Sequence, residues 1–197
     1  MEYGLIGGKL GHSYSKTIHE LLCGYSYELC PLPTEADARA FLQRRQFKAI
    51  NVTIPYKKAV IPFCQTLTDQ ARRIGSVNTI VRQKDGTLLG HNTDYDGFAY
   101  MLRSAGAQIR GKKALILGTG GVSPTVKTVL EDLGAGEIVF ISRSGPDNYE
   151  NLERHAAAQV LVNATPVGMY PNTEVSPVDL NRLPNLEGVF DLIYNPA

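Results

Sequence analysis

The sequence predicts an α/β protein in two parts, and three observations carry that expectation. Through the first half, short apolar runs of strand period alternate with stretches of helix period. From Lys112, "KKALILGTGGVSPTVKTVLEDLGAGEIVFISRS" reads as strand, glycine turn, helix, glycine stop and strand, which indicates a βαβ unit and a parallel sheet. Two later runs, "QVLVNATPVGM" and "LEGVFDLIYNPA", supply further strands. The boundary is expected near residue 97, giving parts 1–97 and 98–197. A chain of 197 residues is long enough for one large domain or two small ones.

The first part opens with "EYGLIG", a strand ending in Gly7 and Gly8. "SKTIHELLCG" reads as a helix with Ser15 as candidate N-cap, Ile18, Leu21 and Leu22 on one face, and Gly24 as stop. "YELCPL" is a second strand, and Thr34 caps the helix "EADARAFLQRR". Ile50, Val52 and Ile54 then alternate with Asn51 and Thr53, the period of a strand with one buried face. Pro55 ends that strand because it lacks the N–H a ladder needs, and a helical stretch is expected after it. "GSVNTIVRQ" and "TLLGHNT" form a hairpin about Asp85-Gly86, and "YDGFAYMLRSAG" is a connecting helix.

Bulk composition excludes more than it assigns. A formal charge of +1 gives no electrostatic reason to expect nucleic acid or an anionic membrane as partner. No apolar run approaches the length of a transmembrane helix. The N-terminus starts directly on a strand, without the basic start and apolar stretch of a signal peptide. Cys23, Cys30 and Cys64 form no CxxC pair and leave an odd thiol, so a reduced, cytoplasmic protein without a metal site is expected.

Strand "ALIL" runs into Gly118-Thr119-Gly120-Gly121, with a helix expected to begin close to Val122. A helix N-terminus carries unpaired N–H groups and a positive dipole end, and glycines let a pyrophosphate approach the backbone. Ser123 stands where a strict G-x-G-x-x-G would have its third glycine, and serine is small enough for close helix–strand packing. The next strand ends at Ser142-Arg143-Ser144. An acid near this point holds a ribose 2′-hydroxyl, whereas an arginine accommodates a 2′-phosphate, so Arg143 favours NADP over NAD. A solvated arginine at a strand end is the plainer alternative. Asp147 lies past Gly145-Pro146, too far into the loop to serve as the acid.

Polar groups crowd several strand and loop ends of the first part: Ser13 and Ser15; Asn51, Thr53 and Lys57; Asn78 and Thr79; Asn92, Thr93 and Asp94. Ligands of open α/β sheets bind outside the carboxyl ends of strands, and this set would suit a small polyhydroxylated acid. Each residue also has a bland role: Ser15 as a helix cap, Asn51 and Asn78 as partners of loop backbone, Thr93 and Asp94 as turn formers. Lys57 is either surface charge or an acid–base group, while Lys58 reads as solvated.

Together these segments resemble a known family. "GGKLGHSYSKTIH", "NVTIPYKK", "IGSVNTI", "HNTDYDGF", "LILGTGGVS", "ISRS", "VNATPVGM" and "DLIYNP" occur in the order of the motifs of bacterial shikimate dehydrogenases. The resemblance implies an N-terminal α/β substrate domain followed by a Rossmann-like NADP-binding domain. It implies that Ser13 and Ser15 bind the substrate carboxylate and that Asn51, Thr53, Asn78 and Asp94 bind its ring hydroxyls. Tyr194 would border the substrate, and Lys57 with Asp94 would form the catalytic pair. Gly118, Gly120 and Gly121 match the pyrophosphate turn, Ser142, Arg143 and Ser144 the 2′-phosphate segment, and Asn163, Ala164 and Thr165 the cofactor groove.

The sequence departs from the pattern at Lys16, where the family usually has proline, and at Glu20, where asparagine is common. The family also continues past "DLIYNP" with a further strand and helices, so the chain, ending at Ala197, is expected to lack that C-terminal segment. The activity implied is NADP-dependent reversible reduction of 3-dehydroshikimate to shikimate, in aromatic amino-acid biosynthesis. A quinate/shikimate dehydrogenase with relaxed cofactor use, an inactive ligand-binding fragment, and a homodimer covering exposed apolar surface all stay open.

Overall fold

In the computed structural model, which describes residues 1–11 and 13–193, the chain parts at Thr93. Met1–Thr93 forms one unit and Asp94–Ala197 the other.

The first unit is a mixed sheet with helices. Its elements are β1 (Tyr3–Gly7), α1 (Ser15–Cys23), β2 (Glu28–Pro31), α2 (Glu35–Arg44), β3 (Ala49–Val52), β4 (Thr66–Leu67), α3 (Asp69–Ile74), β5 (Thr79–Arg82) and β6 (Leu88–His91). Strands lie in the order β2-β1-β3-β5-β6-β4. β1 runs parallel to β2 and β3, and β3 and β6 run antiparallel to β5. This register sets Asn51 opposite Leu5 on one side and Thr79 on the other. Ile6, Leu42, Phe47, Ile50, Val52, Tyr56, Val60, Ile80 and Leu88 build the core beneath. Gly7 is needed where β1 meets β3: a Cβ there would lie 2.5 Å from the Thr53 methyl.

Three expectations need correction in this unit. The strand through Asn51 stops at Val52, and Ile54 is 74% exposed. The chain turns out of the sheet there, with the Thr53 N–H donating to the Ile6 carbonyl and the Gly8 N–H to that of Ile54. The stretch directly after Pro55 is not an α-helix. Residues 54–60 make successive turns and Ile61–Phe63 a single 3₁₀ turn, because Pro62 lacks an N–H and its ring clashes with a preceding helical carbonyl. The face of α1 carrying Ile18, Leu21 and Leu22 is not buried; Leu21 and Leu22 are 80% and 77% exposed. α1 instead docks on Tyr27, the residue just before β2, through Lys16, His19 and Glu20.

The second unit holds α4 (Thr93–Ser104), which opens on the last residue of the first, then β7 (Lys113–Leu117), α5 (Ser123–Asp132), β8 (Glu137–Ile141), β9 (Val160–Asn163) and β10 (Gly188–Asp191). All four strands are parallel, in the order β10-β9-β7-β8. Residues 114–117 of β7 are fully buried, as central strands covered on both faces require. The chain steps from β7 to one neighbour, β8, and then returns to the other side for β9. That reversal opens a crevice at the carboxyl ends of β7 and β9, where open α/β sheets bind ligands.

Candidate functional site

In the first unit the polar residues at the ends of β3 and β5 form one connected network. Asn51 Nδ2 donates to Thr79 Oγ1 at 3.1 Å and to the Asn78 carbonyl at 3.5 Å. Asn78, 7% exposed, accepts at Oδ1 from Thr79 Oγ1 (3.1 Å), Thr93 Oγ1 (3.1 Å) and the Thr93 N–H (2.8 Å). Among the described residues its Nδ2 has no partner, so two N–H donors remain for a ligand. Asn92 is different: fully buried, it donates to the Ser76 carbonyl and belongs to the core.

Lys57 and Lys58 sit on the turn between Tyr56 and Val60, both of which point into the core. Tyr56 donates its hydroxyl to the Leu32 carbonyl at 2.6 Å, and the Val77 N–H donates to the Lys57 carbonyl at 2.8 Å. The turn is thus tied to the segment just after β2 and to the approach to β5. Lys57 is half-buried and Lys58 exposed. Ser15 does not cap α1: it is the first helical residue, and the Ser13 hydroxyl accepts from the Ser15 N–H at 3.2 Å. Asp94 stands in the first turn of α4 rather than in a loop, where a carboxylate complements the helix dipole. Tyr194 lies outside the described residues.

In the second unit the glycine turn joins β7 to α5 as expected. Gly118 has φ +91°, and a Cβ on it would lie 2.8 Å from the Thr165 methyl and 3.3 Å from the Ala164 carbonyl oxygen. Gly120 and Gly121 face open space, with no heavy atom within 4 Å of an added Cβ. Neither takes a positive φ, so no feature of the protein itself requires glycine at these two positions. They leave the backbone at the N-terminus of α5 uncovered, and that room fits a pyrophosphate. Ser123, at the missing third glycine, is 2% exposed and turns its hydroxyl back to the Gly120 carbonyl at 2.6 Å.

Ser142, Arg143 and Ser144 follow β8, with Arg143 and Ser144 exposed. The Asp147 carbonyl accepts from the Ser142 N–H at 3.1 Å, and its carboxylate is hydrogen-bonded to His155 Nε2 at 2.8 Å. The one nearby acid is therefore engaged elsewhere, which leaves this loop with the character that suits a 2′-phosphate. Asn163 is 4% exposed and uses its carboxamide internally. It accepts from the Thr165 N–H and hydroxyl, and donates to the Val167 carbonyl and the Asp191 carboxylate. It shapes the loop holding Ala164 and Thr165 against Gly118. Sequence reasoning overlooked Tyr27, whose hydroxyl donates to Asn51 Oδ1 at 2.6 Å; its position before an edge strand gave no signal of such a role.

Residues 5–80 match the family model described as the shikimate dehydrogenase substrate binding domain. A curated shikimate dehydrogenase (NADP(+)) of Clostridium beijerinckii is 36% identical over 212 residues, covering 98% of this chain and 78% of that protein. Among solved structures, shikimate dehydrogenase 1 of Peptoclostridium difficile is 34% identical with a TM-score of 0.85, over 100% of this chain and 79% of its own. Shikimate 5-dehydrogenase of Thermus thermophilus, solved in complex with NADP(H) and shikimate, is 31% identical with a TM-score of 0.84, over 100% of this chain and 80% of its own. With this identity along nearly all of its length, the chain belongs to the shikimate dehydrogenase family.

Proposed function

We propose that this chain catalyses the reversible NADP-dependent interconversion of 3-dehydroshikimate and shikimate. The observation that carries the reading is the connected floor of neutral donors and acceptors around Asn51, Asn78 and Thr79, in a chain whose relatives are named shikimate dehydrogenase (NADP(+)). Such a floor suits an alcohol-rich substrate, because each alcohol both donates and accepts.

In this reading Ser13 and Ser15 bind the substrate carboxylate. Asn51, Thr53, Asn78 and Asp94 bind the ring hydroxyls, and Tyr194 borders the ring. Lys57 gives a proton to the oxygen that becomes the alcohol and takes it back in the oxidising direction, with Asp94 as its partner in the catalytic pair. NADP, when bound, supplies the hydride chemistry. Gly118, Gly120 and Gly121 hold its pyrophosphate, Arg143 with Ser142 and Ser144 its 2′-phosphate, and Asn163, Ala164 and Thr165 line its groove. The protein acts in aromatic amino-acid biosynthesis in the cytoplasm, and light scattering tests whether the exposed apolar face of α1 pairs two copies. Among the described residues, no helix is long and apolar enough to cross a membrane.

Lys57→Ala tests the assignment. Turnover is expected to fall by roughly a thousandfold or more, with NADPH affinity within about twofold of the parent. Unchanged turnover would contradict it. Parallel rates with quinate and with NAD⁺ separate this activity from a relaxed quinate/shikimate dehydrogenase.

A further inference from the structure

Tyr27 enters β2 from α1, is 2% exposed, and has three side chains of α1 fastened to it. Lys16 Nζ donates to the Tyr27 carbonyl at 3.1 Å, and the Tyr27 N–H donates to Glu20 Oε1 at 3.1 Å. The His19 ring lies on the Tyr27 ring with centroids 4.2 Å apart and planes 10° from parallel. Lys16 and Glu20 are themselves paired at 3.2 Å, and His19 Nδ1 is hydrogen-bonded to the Tyr25 hydroxyl at 2.9 Å. Positions 16, 19 and 20 share one helix face by their spacing, so a single turn of α1 holds the phenol in place.

What the phenol reaches is Asn51, at 2.6 Å. A carboxamide has two N–H donors and two oxygen lone pairs. Both Asn51 donors are used, toward Thr79 Oγ1 and the Asn78 carbonyl. That carbonyl can only accept, so Nδ2 faces it and Oδ1 faces Tyr27, which donates. One lone pair of Oδ1 is left. Burial pushes the Tyr27 phenol well above its ordinary range, which keeps its proton on the oxygen.

We propose that Tyr27 is a positioning residue: by holding Asn51 Oδ1 it fixes where that oxygen's remaining lone pair meets a hydroxyl group of the substrate. The inference rests on the shikimate reading above. It adds a direction to one contact: the alcohol at Asn51 donates. Without the phenol, the carboxamide keeps its Nδ2 anchors and loses the bond that fixes its oxygen.

Steady-state kinetics and calorimetry of Tyr27→Phe beside the parent protein test this. The KM and Kd for shikimate are expected to rise about tenfold, with kcat and the KM for NADP⁺ within about twofold of the parent. Asn51→Ala raises the shikimate KM as well, and adding Tyr27→Phe to it raises KM no further, since the phenol acts through Asn51. Unchanged shikimate constants in Tyr27→Phe overturn the proposal. So do equal losses in kcat and in both KM values, which mark a merely structural role, or additive losses in the double variant. If Tyr27→Phe does not fold, Glu20→Ala loosens the clamp and keeps the phenol. Its shikimate KM has to rise about threefold with kcat unmoved, and no rise overturns the proposal. A parent protein that neither binds nor turns over shikimate contradicts the functional reading instead.

Discussion

Gly118 and Gly120 stand two residues apart in one turn and are glycine for different reasons. Gly118 takes a left-handed φ and backs against Ala164 and Thr165. Gly118→Ala is therefore expected to cost about 2 kcal/mol in folding, read as a lower urea midpoint. Gly120→Ala meets open space and is expected to change stability by less than about 0.5 kcal/mol while weakening NADP⁺ binding roughly tenfold. Equal stability losses in the two variants would contradict this division. Cys64 supplies a pH test. Burial pushes its thiol from 9.0 up to about 11, so the folded state keeps a proton that the unfolded chain releases. The stabilisation is whole below pH 9 and is lost as pH rises through about 11. Urea midpoints across that window should fall, and Cys64→Ala should remove that part of the slope while lowering the midpoint throughout. At this scale the glycine turn was legible because backbone freedom is written in residue type. Tyr27 was not, because its partner Asn51 is 24 residues away and only strand register brings them together.

Elements differ in how far local signals reach. α2 carries a full capping box: Thr34 Oγ1 accepts from the Asp37 N–H at 3.1 Å, and Asp37 Oδ2 accepts from the Thr34 N–H at 3.2 Å. Thr34→Ala should cost about 1 kcal/mol and lower the thermal midpoint; no change would mean that tertiary packing alone holds the helix. That helix start was readable from sequence, as was the hairpin at Gly86, whose φ of +82° suits glycine. α1 was misread. Its apolar residues suggested a buried face, yet the helix docks through Lys16, His19 and Glu20, polar residues that period analysis assigns to solvent. Lys16 and Glu20, which the resemblance marks as departures from the family pattern, both close on Tyr27. Glu20 sits below its ordinary carboxylate range, first because of the Tyr27 N–H and then because of Lys16. Its contribution is present above the unfolded carboxylate value and is lost as pH falls through the lowered one. The clamp should therefore loosen in acid, with the Tyr27 amide losing hydrogen-exchange protection.

Across the molecule, each unit carries its own core. The clusters around Ile6 and Leu5 belong to Met1–Thr93, and those around Ala114 and Leu115 to Asp94–Ala197. Shikimate is expected to slow amide exchange at the ends of β1, β3 and β5, and NADP⁺ at the β7–α5 turn and after β8. Protection in the opposite units would contradict the division of labour. The fold class was legible because a βαβ pattern is short-range, and the family because eight ordered motifs span the chain. The mixed sheet of the first unit was not, since β4 and α3 are too short to leave a period. The most direct measurement is the initial rate of NADPH formation when the purified chain meets shikimate and NADP⁺. Saturable NADPH formation, absent in Lys57→Ala, is the predicted result; no NADPH above the protein-free control would contradict the account.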